Sequence, residues 1–214
     1  MTLPFTIPLS NHQTEQTMQT IDRSKTQVKT TAGTYRKVAQ HIAESNTTGQ
    51  PVRVLDFGAG LCEGTEVLNS HESNDIDAWS FEPFSKEGVT PNFDQEDEIF
   101  GKFDFVVNNC VLNVIEDITE RVHTVEAMLR HLKVGGKAII MVRSHSTVKA
   151  NKTNTPFSDG FVNAKGTFQR GFTKGELMDL VRSIDPVVEF SHTMTFSTVP
   201  TTLGDVGVIV TRES

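Results

Sequence analysis

The sequence has little cysteine, and the two cysteines that it contains stand alone. Cys62 and Cys110 have no neighbouring metal ligands at a useful spacing, and the seven histidines form no ligand pattern either. We therefore predict no metal site. We also expect both thiols to remain reduced.

Long apolar runs and a basic surplus are also lacking. No apolar run approaches the roughly 18 residues of a membrane span, and residues 1–10 lack a basic region followed by an apolar one. We expect no membrane span, no signal peptide and a cytoplasmic location. The net charge of −7 argues against nonspecific coating of nucleic acid, although it leaves a local basic patch possible.

The length and apolar content suit one domain. With 214 residues and 36% hydrophobic content, the chain can form one well-cored α/β domain and is short for two. Residues 1–30 are rich in Thr, Gln, Ser and Lys without a sustained apolar period, which predicts a partly flexible N-terminal arm. Residues 31–214 are predicted to form the domain.

Residues 51–68 contain a glycine-rich turn between a short apolar run and a second apolar stretch. The pattern predicts a strand, a tight turn and a helix, which is the first unit of a nucleotide-binding α/β sheet. The spacing G-x-G-x-x-x-G misses the dinucleotide pattern by one residue, so a plain strand-to-helix turn stays open. The residues predicted to lie against a ligand here are Asp56, Phe57, Gly58, Ala59 and Gly60.

Acidic residues flank this turn. Asp56 ends the predicted strand and Glu63 opens the predicted helix, so a pyrophosphate would face two carboxylates. A cationic ligand such as S-adenosylmethionine, with its ammonium and sulfonium groups, suits the site better. For Glu63 the alternative is a carboxylate that favours the positive end of the helix dipole.

The turn resembles the first motif of the class I S-adenosylmethionine-dependent methyltransferases, an acid followed by x-Gly-x-Gly. Asp56, Gly58 and Gly60 match that motif, while Cys62 replaces a frequent third glycine. Residues 132–136 are similar to the family's Leu-Lys-Pro-Gly-Gly turn, with valine in place of proline. Residues 109–115 and 166–173 also resemble small methyltransferase-like proteins of phages and mobile elements.

A second acid follows the next predicted strand, residues 76–81. Glu82, followed by Pro83, lies twenty residues beyond Cys62, where doubly wound folds place an acid that accepts from ribose hydroxyls. A solvated acid at a strand end is the alternative. We predict that Asp56 and Glu82 together bind the adenosine part of the ligand.

The resemblance implies further cofactor contacts. Tyr35, on a predicted helix that begins at Ala32, could reach the methionine part, although it could instead pack on the sheet edge. Asp94, with Gln95 beside it, would accept from the adenine amino group. Asn108 and Asn109 would lie beside the methionine and the methyl group, unless they are turn residues only.

The remaining pattern predicts an α/β fold with a doubly wound, Rossmann-like, seven-stranded sheet. It is mostly parallel, and an antiparallel C-terminal strand follows from the short connection at 200–204. The strands are predicted at 52–55, 76–81, 89–93, 103–107, 137–142, 187–199 and 205–211, and the later helices at 117–132 and from 173 onwards.

Residues 143–172 are predicted to be a substrate-side insertion, because they are too long for a structureless connection. This segment contains five Lys and Arg residues and one acid, Asp159, and four phenylalanines are interleaved with the cations. This composition suits an anionic or nucleotide-like small-molecule acceptor, with a solvated loop as the alternative. His145 is the candidate general base and Arg143 the candidate acceptor clamp.

The resemblance implies methyl transfer from S-adenosylmethionine to an acceptor that the sequence does not identify. Two alternatives stay open. One is an NAD-type oxidoreductase, which Glu82 favours and which the glycine spacing and Asp56 oppose. The other is a non-catalytic module that binds S-adenosylmethionine.

Overall fold

The computed structural model describes residues 23–26, 32–73, 75–95, 99–148, 153–184, 194–199 and 206–213. The helices are α1 (Ala32–Ser45), α2 (Glu63–Asn69), α3 (Ile118–Arg130) and α4 (Lys174–Arg182). The strands are β1 (Val52–Phe57), β2 (Ile76–Phe81), β3 (Phe103–Asn109), β4 (Leu132–Val142), β5 (Thr155–Phe157), β6 (Gly160–Val162), β7 (Phe168–Gln169), β8 (Met194–Thr198) and β9 (Val206–Arg212). Short 3₁₀ turns lie at Arg23–Thr26 and Leu112–Val114.

Six strands form the main sheet of the described residues, in the order β2-β1-β3-β4-β9-β8. Neighbours from β2 to β4 are parallel, whereas β9 is antiparallel to both β4 and β8. The prediction of a doubly wound, mostly parallel sheet with an antiparallel C-terminal strand is confirmed. The reversal in chain order between β2-β1 and β3-β4 opens a crevice at the carboxyl edge of the sheet.

Helices cover both faces of this sheet, which explains why its central strands are apolar on both sides. Along β4, Ala138 and Ile140 belong to the core beneath α3 and α4, while Ile139 and Met141 belong to the core beneath α1 and α2. Alternate side chains of one strand therefore serve two separate cores. This packing fixes the strand ends against each other at the carboxyl edge.

The predicted third strand at 89–93 was wrong, and the described residues form six strands of the main sheet where seven were expected. Phe93 makes an isolated parallel bridge to Phe81. The Asn92 side chain takes the place of a backbone ladder, because its Oδ1 accepts from Ser80 N at 2.8 Å and from Ser80 Oγ at 2.9 Å. Pro91 has no N–H to donate to such a ladder. The segment lies along β2 as an irregular edge.

A second, three-stranded sheet, β5-β6-β7, is antiparallel and lies within the predicted insertion; we call it the small sheet. Most of the predicted N-terminal arm, the first part of the strand-like run at 187–199 and the hairpin loop at 200–204 fall outside the described residues. No helix that the structure describes is both long and apolar enough to cross a membrane. In the same described ranges, no cluster of side chains suits a metal ion.

Candidate functional site

The glycine turn after β1 brings backbone against the carboxyl edge of the sheet. Gly58 has φ 77° and Gly60 has φ 59°, a left-handed conformation that glycine adopts without strain. A Cβ at Gly58 would lie 2.5 Å from Val111 Cγ2, so a larger residue does not fit. The Gly58 and Ala59 amides donate to the Phe81 carbonyl at 2.9 and 3.0 Å, which joins the turn to the end of β2.

Glu82 follows β2 and is fixed by the backbone on both sides. Its Oε2 accepts from the Gly60 amide at 2.8 Å, and its Oε1 accepts from the Phe84 amide at 3.0 Å. The residue is only 6% exposed, yet it lines the cavity beside the glycine turn. Each carboxylate oxygen has a second lone pair, so the group can still accept from ligand hydroxyls.

Asp56 is not among the residues that line the cavity, and its direct contact with a ligand stays a prediction. Its side chain is fully buried, with Oδ1 accepting from the Tyr35 hydroxyl at 2.6 Å and Oδ2 from Thr65 Oγ1 at 3.0 Å. The pKa of Asp56 is raised to about 6, mainly because the carboxyl is buried. The hydrogen bonds from Tyr35 and Thr65 lower this pKa, and the charge of Glu82 raises it. Asp56 instead holds Tyr35, which does line the cavity.

Tyr35 lies on α1 with its ring against the start of α2. A Cβ at Gly64 would collide with the Tyr35 ring, so the third glycine of the motif region makes room for this tyrosine. Burial and the Asp56 charge raise the Tyr35 pKa well above its usual value. The hydroxyl therefore stays protonated with its proton directed to Asp56, and its oxygen can only accept on the cavity side.

The end of β3 places Asn109 and Cys110 in the cavity but keeps Asn108 out of it. Asn108 is fully buried, and its Nδ2 donates to the Phe57 carbonyl at 3.2 Å. Cys110 has φ 65°, and its amide donates to the Met141 carbonyl at 2.8 Å. Burial raises the pKa of the Cys110 thiol, and the adjacent Arg143 guanidinium lowers it in part.

The end of β4 places Arg143 and His145 on different sides. Arg143 lines the cavity, whereas His145 does not. The His145 Nε2 lies 2.9 Å from Glu176 Oε2 on α4, so its ring is engaged away from the cavity. The role of His145 as general base stays a prediction, and the residue does not line the cavity. A residue just beyond a strand can turn to either side, and the sequence does not reveal which.

The predicted insertion forms part of the cavity wall. Phe161, Lys165 and Gln169 line the cavity from the small sheet and its turn. Two of the interleaved phenylalanines, Phe168 and Phe172, are fully buried and serve as core. The insertion is therefore less of an open cationic and aromatic surface than its sequence predicts.

The two residues predicted to contact adenine lie outside the cavity lining, and that contact stays a prediction. Asp94 and Gln95 are exposed and do not line the cavity. They follow the irregular edge that replaces the predicted strand, so no strand end directs their side chains towards the cavity. Pro83 and Phe84 line the cavity instead.

The resulting cavity has a volume of about 1380 Å³, enough for a cofactor and a small acceptor together. It brings together most of the residues predicted from the sequence: Tyr35, Phe57, Gly58, Ala59, Gly60, Glu82, Pro83, Asn109 and Arg143. The predicted residues that lie outside its lining are Asp56, Asp94, Gln95, Asn108 and His145.

Sequence reasoning missed one face of α3 and the anchoring role of Asn113. Glu120, His123 and Thr124 line the cavity, and their spacing on the strongest predicted helix was a signal for a shared face. Asn113 accepts from the Arg143 amide at 2.9 Å and donates to the Arg143 carbonyl at 3.2 Å. Nothing in its local sequence indicated that contact.

No protein-family model and no curated protein sequence matches the chain. Solved structures do match it. The sugar N-methyltransferase KedS8 from Streptoalloteichus sp aligns with a TM-score of 0.57 at 17% identity, over 85% of this chain and 87% of that chain.

Two further structures align similarly. The S-adenosylmethionine-bound amino pentose methyltransferase CalS10 from Micromonospora echinaspora gives a TM-score of 0.55 at 14% identity, over 84% of this chain and 92% of that chain. An S-adenosylmethionine-dependent methyltransferase from Clostridium acetobutylicum gives 0.54 at 14% identity, over 89% and 94% of the two chains. At these identities the likeness establishes the fold, which is the Rossmann-like methyltransferase fold.

Proposed function

We propose that this protein is a methyltransferase that uses S-adenosylmethionine and acts on a small anionic or nucleotide-like acceptor. The observation that carries the proposal is the cavity at the carboxyl edge, where the bent turn Gly58–Gly60 meets the nearly buried Glu82 carboxylate. An adenosine with adjacent ribose hydroxyls matches a carboxylate that has free lone pairs. The likeness in fold to structures of methyltransferases supports the same conclusion.

The charge around the turn supports a cationic cofactor. Glu82 lines the cavity, and Asp56 lies behind Tyr35, whose oxygen can only accept. An ammonium or sulfonium group gains from such surroundings, whereas the pyrophosphate of NAD would meet negative charge in a poorly solvated crevice. We therefore place the methionine part beside Tyr35 and Asn109, and the adenosine beside Glu82 and Pro83.

Bound S-adenosylmethionine would supply a methyl group on a sulfonium, which is already activated for transfer. The protein's own task is then to orient the acceptor and to exclude water. Arg143 is suited to hold an anionic group of the acceptor, because it lines the cavity next to Cys110 at the end of β3. An acceptor atom with a free lone pair needs no general base, so the proposal does not depend on His145.

The acceptor class is proposed from the polar residues that the insertion and the end of β4 contribute to the cavity lining. Lys165 and Arg143 supply cations there, and Asn163, Thr167 and Gln169 supply hydroxyl and amide groups. This lining fits a small, hydrogen-bonding acceptor that carries negative charge. Two of the fold neighbours are named as methyltransferases of sugars, which is compatible with an acceptor of that size.

Calorimetric titration with S-adenosylmethionine, S-adenosylhomocysteine and NAD tests the cofactor. We expect both adenosyl compounds to bind and NAD not to bind. Binding of NAD alone would contradict the proposal and favour an oxidoreductase.

A second experiment tests transfer itself. The protein and radioactive methyl donor are incubated with a fractionated extract of small metabolites, and labelled products are separated by charge. We expect a labelled product in the anionic fractions. Binding of the cofactor without any labelled product would instead favour a non-catalytic binding module.

A further inference from the structure

A chain of ion pairs joins the small sheet to the rest of the protein. The Arg121 guanidinium on α3 donates to both oxygens of Asp159, from Nη1 at 2.6 Å and from Nη2 at 2.7 Å. On the other side of Asp159, Arg170 Nε lies 2.8 Å from Oδ2, and Arg170 Nη2 donates to Glu176 at 3.2 Å. Glu176 in turn contacts His145.

Arg121 is the unusual member, because its side chain is fully buried. Its Nε donates to the Ile115 carbonyl at 2.8 Å, and its guanidinium lies 5.7 Å from the ring centre of Phe168. A buried guanidinium needs a counter-charge, and removal of one partner from such a pair is strongly unfavourable. Asp159 supplies that charge through two parallel hydrogen bonds, the strongest geometry for this pair.

Asp159 is placed where it can control the cavity without lining it. It lies in the turn between β5 and β6, and Phe161, two residues later, lines the cavity. Arg170 directly follows β7, and its neighbour Gln169 also lines the cavity. Partial burial alone raises the pKa of Asp159, but the hydrogen bonds and charges of Arg121 and Arg170 lower it overall, so the carboxylate stays ionised at neutral pH.

We propose that Asp159 is a positioning residue: its pair with the buried Arg121 fixes the small sheet as one wall of the cavity and so sets where Phe161 and Gln169 face the acceptor. The identification of this wall with an acceptor rests on the proposed function. The ion-pair chain itself does not.

The two cysteines provide a readout that separates local opening from general instability. Cys110 lines the cavity, whereas Cys62 precedes α2 and does not. The labelling rates of both thiols with N-ethylmaleimide are measured by peptide mass spectrometry in the wild type and in Asp159→Asn. We expect Cys110 to react on the order of a hundredfold faster in Asp159→Asn, with Cys62 changed less than about twofold.

Two further variants are matched controls. Asp159→Glu keeps the charge and is expected to label Cys110 at close to the wild-type rate. Asp77→Asn removes a half-exposed carboxylate that lies 3.8 Å from Arg53 Nε, and is expected to change neither rate. Equal acceleration of both thiols in Asp159→Asn would show general destabilisation and overturn the proposal, as would an unchanged Cys110.

The affinity of the wild type for S-adenosylhomocysteine is measured alongside. Failure of the wild type to bind S-adenosylhomocysteine would contradict the proposed function but would leave the labelling result interpretable. A normal affinity with unchanged Cys110 labelling would contradict the role of Asp159 and leave the proposed function standing. The two failures are therefore distinguishable.

Discussion

Asp56 and Glu82 have the same position in the sequence pattern, each at the end of a parallel strand, but they do different work. Asp56 is enclosed by hydroxyl donors from α1 and α2, and Glu82 is held by backbone amides at the cavity surface. The difference comes from the elements that pack against each strand end. Of these two acids, we therefore propose a direct contact with the ligand for Glu82 and not for Asp56.

The Glu82→Gln variant tests that role. Glutamine keeps the size but loses the charge that strengthens hydrogen bonds from the ribose hydroxyls. We expect the affinity for S-adenosylmethionine to fall by about tenfold or more, the range for charged hydrogen bonds. Calorimetry with the same change at the exposed Glu87 is the control, and equal affinities in the two variants would contradict the assignment.

Asp56 makes cofactor binding depend on pH. Its folded pKa of about 6 lies above the usual 3.8, so the carboxyl is protonated at pH 5 and ionised at pH 7. A cationic ligand beside Tyr35 favours the ionised form, and affinity should rise with pH through 6 by about 1 kcal/mol, or roughly fivefold. Titrations from pH 5 to 8 measure this, and Asp56→Asn should flatten the profile. A wild-type affinity that falls over this range would contradict the prediction.

At the scale of elements, α4 shows how one cap supports several contacts. Thr173 Oγ1 accepts from the Glu176 amide at 3.1 Å, and Glu176 Oε2 accepts from the Thr173 amide at 2.7 Å. The same glutamate contacts His145 and Arg170. The capping box was readable in the sequence, but its link to the small sheet was not.

The Thr173→Ala variant should lower the free energy of unfolding by about 1 kcal/mol, because one helix-end amide loses its acceptor. Urea denaturation followed by circular dichroism measures the change. Thr173→Ser keeps the hydroxyl and should stay close to the wild type. An alanine variant as stable as the serine variant would show that the cap contributes nothing.

At the scale of the whole molecule, a buried histidine packs against core aromatic rings that also line the cavity. His131 follows α3, is fully buried, and lies among the rings of Phe57, Phe81 and Phe100. Phe57 and Phe81 also line the cavity. Burial lowers the pKa of His131 to about 4, so the ring is neutral in the folded protein at neutral pH.

Acid should therefore destabilise the whole protein through His131. Its folded pKa is below its usual 6.5, so its contribution is fully present above pH 6.5 and is lost as the pH falls towards 4. The loss amounts to about 3 kcal/mol. Asp56 acts in the opposite sense, since its raised pKa favours the folded state at low pH and that contribution is lost as the pH rises through 6.

The His131→Phe variant isolates the histidine from this opposing effect. The difference in unfolding free energy between wild type and variant, measured by urea titration, should change by about 3 kcal/mol between pH 7 and pH 4, in favour of the variant at low pH. A difference that is constant over this range would contradict the assignment.

The predicted relation to methyltransferase-like proteins of phages and mobile elements stays a prediction.

The sequence by itself determined the order of elements and the place of the site. The run before Gly58, the helical repeat of α3 and the Thr173 cap are local patterns, and local patterns suffice to predict strands, helices and the carboxyl edge where they meet. The antiparallel C-terminal strand followed from a connection too short for a crossover. Within the described residues, the strand predicted at 89–93 was wrong, because the Asn92 side chain replaced the backbone ladder, and the three strands of the small sheet were not predicted.

The tertiary structure alone decided which side chains face the cavity. Asp56 turns inward because Tyr35 and Thr65, from two other elements, donate to its carboxylate. His145 turns away from the cavity because its Nε2 contacts the Glu176 carboxylate. Asp159 of the insertion likewise pairs with Arg121 on α3, 38 residues earlier in the chain. Such orientations are set by contacts between residues distant in sequence, and no spacing within a single segment encodes them.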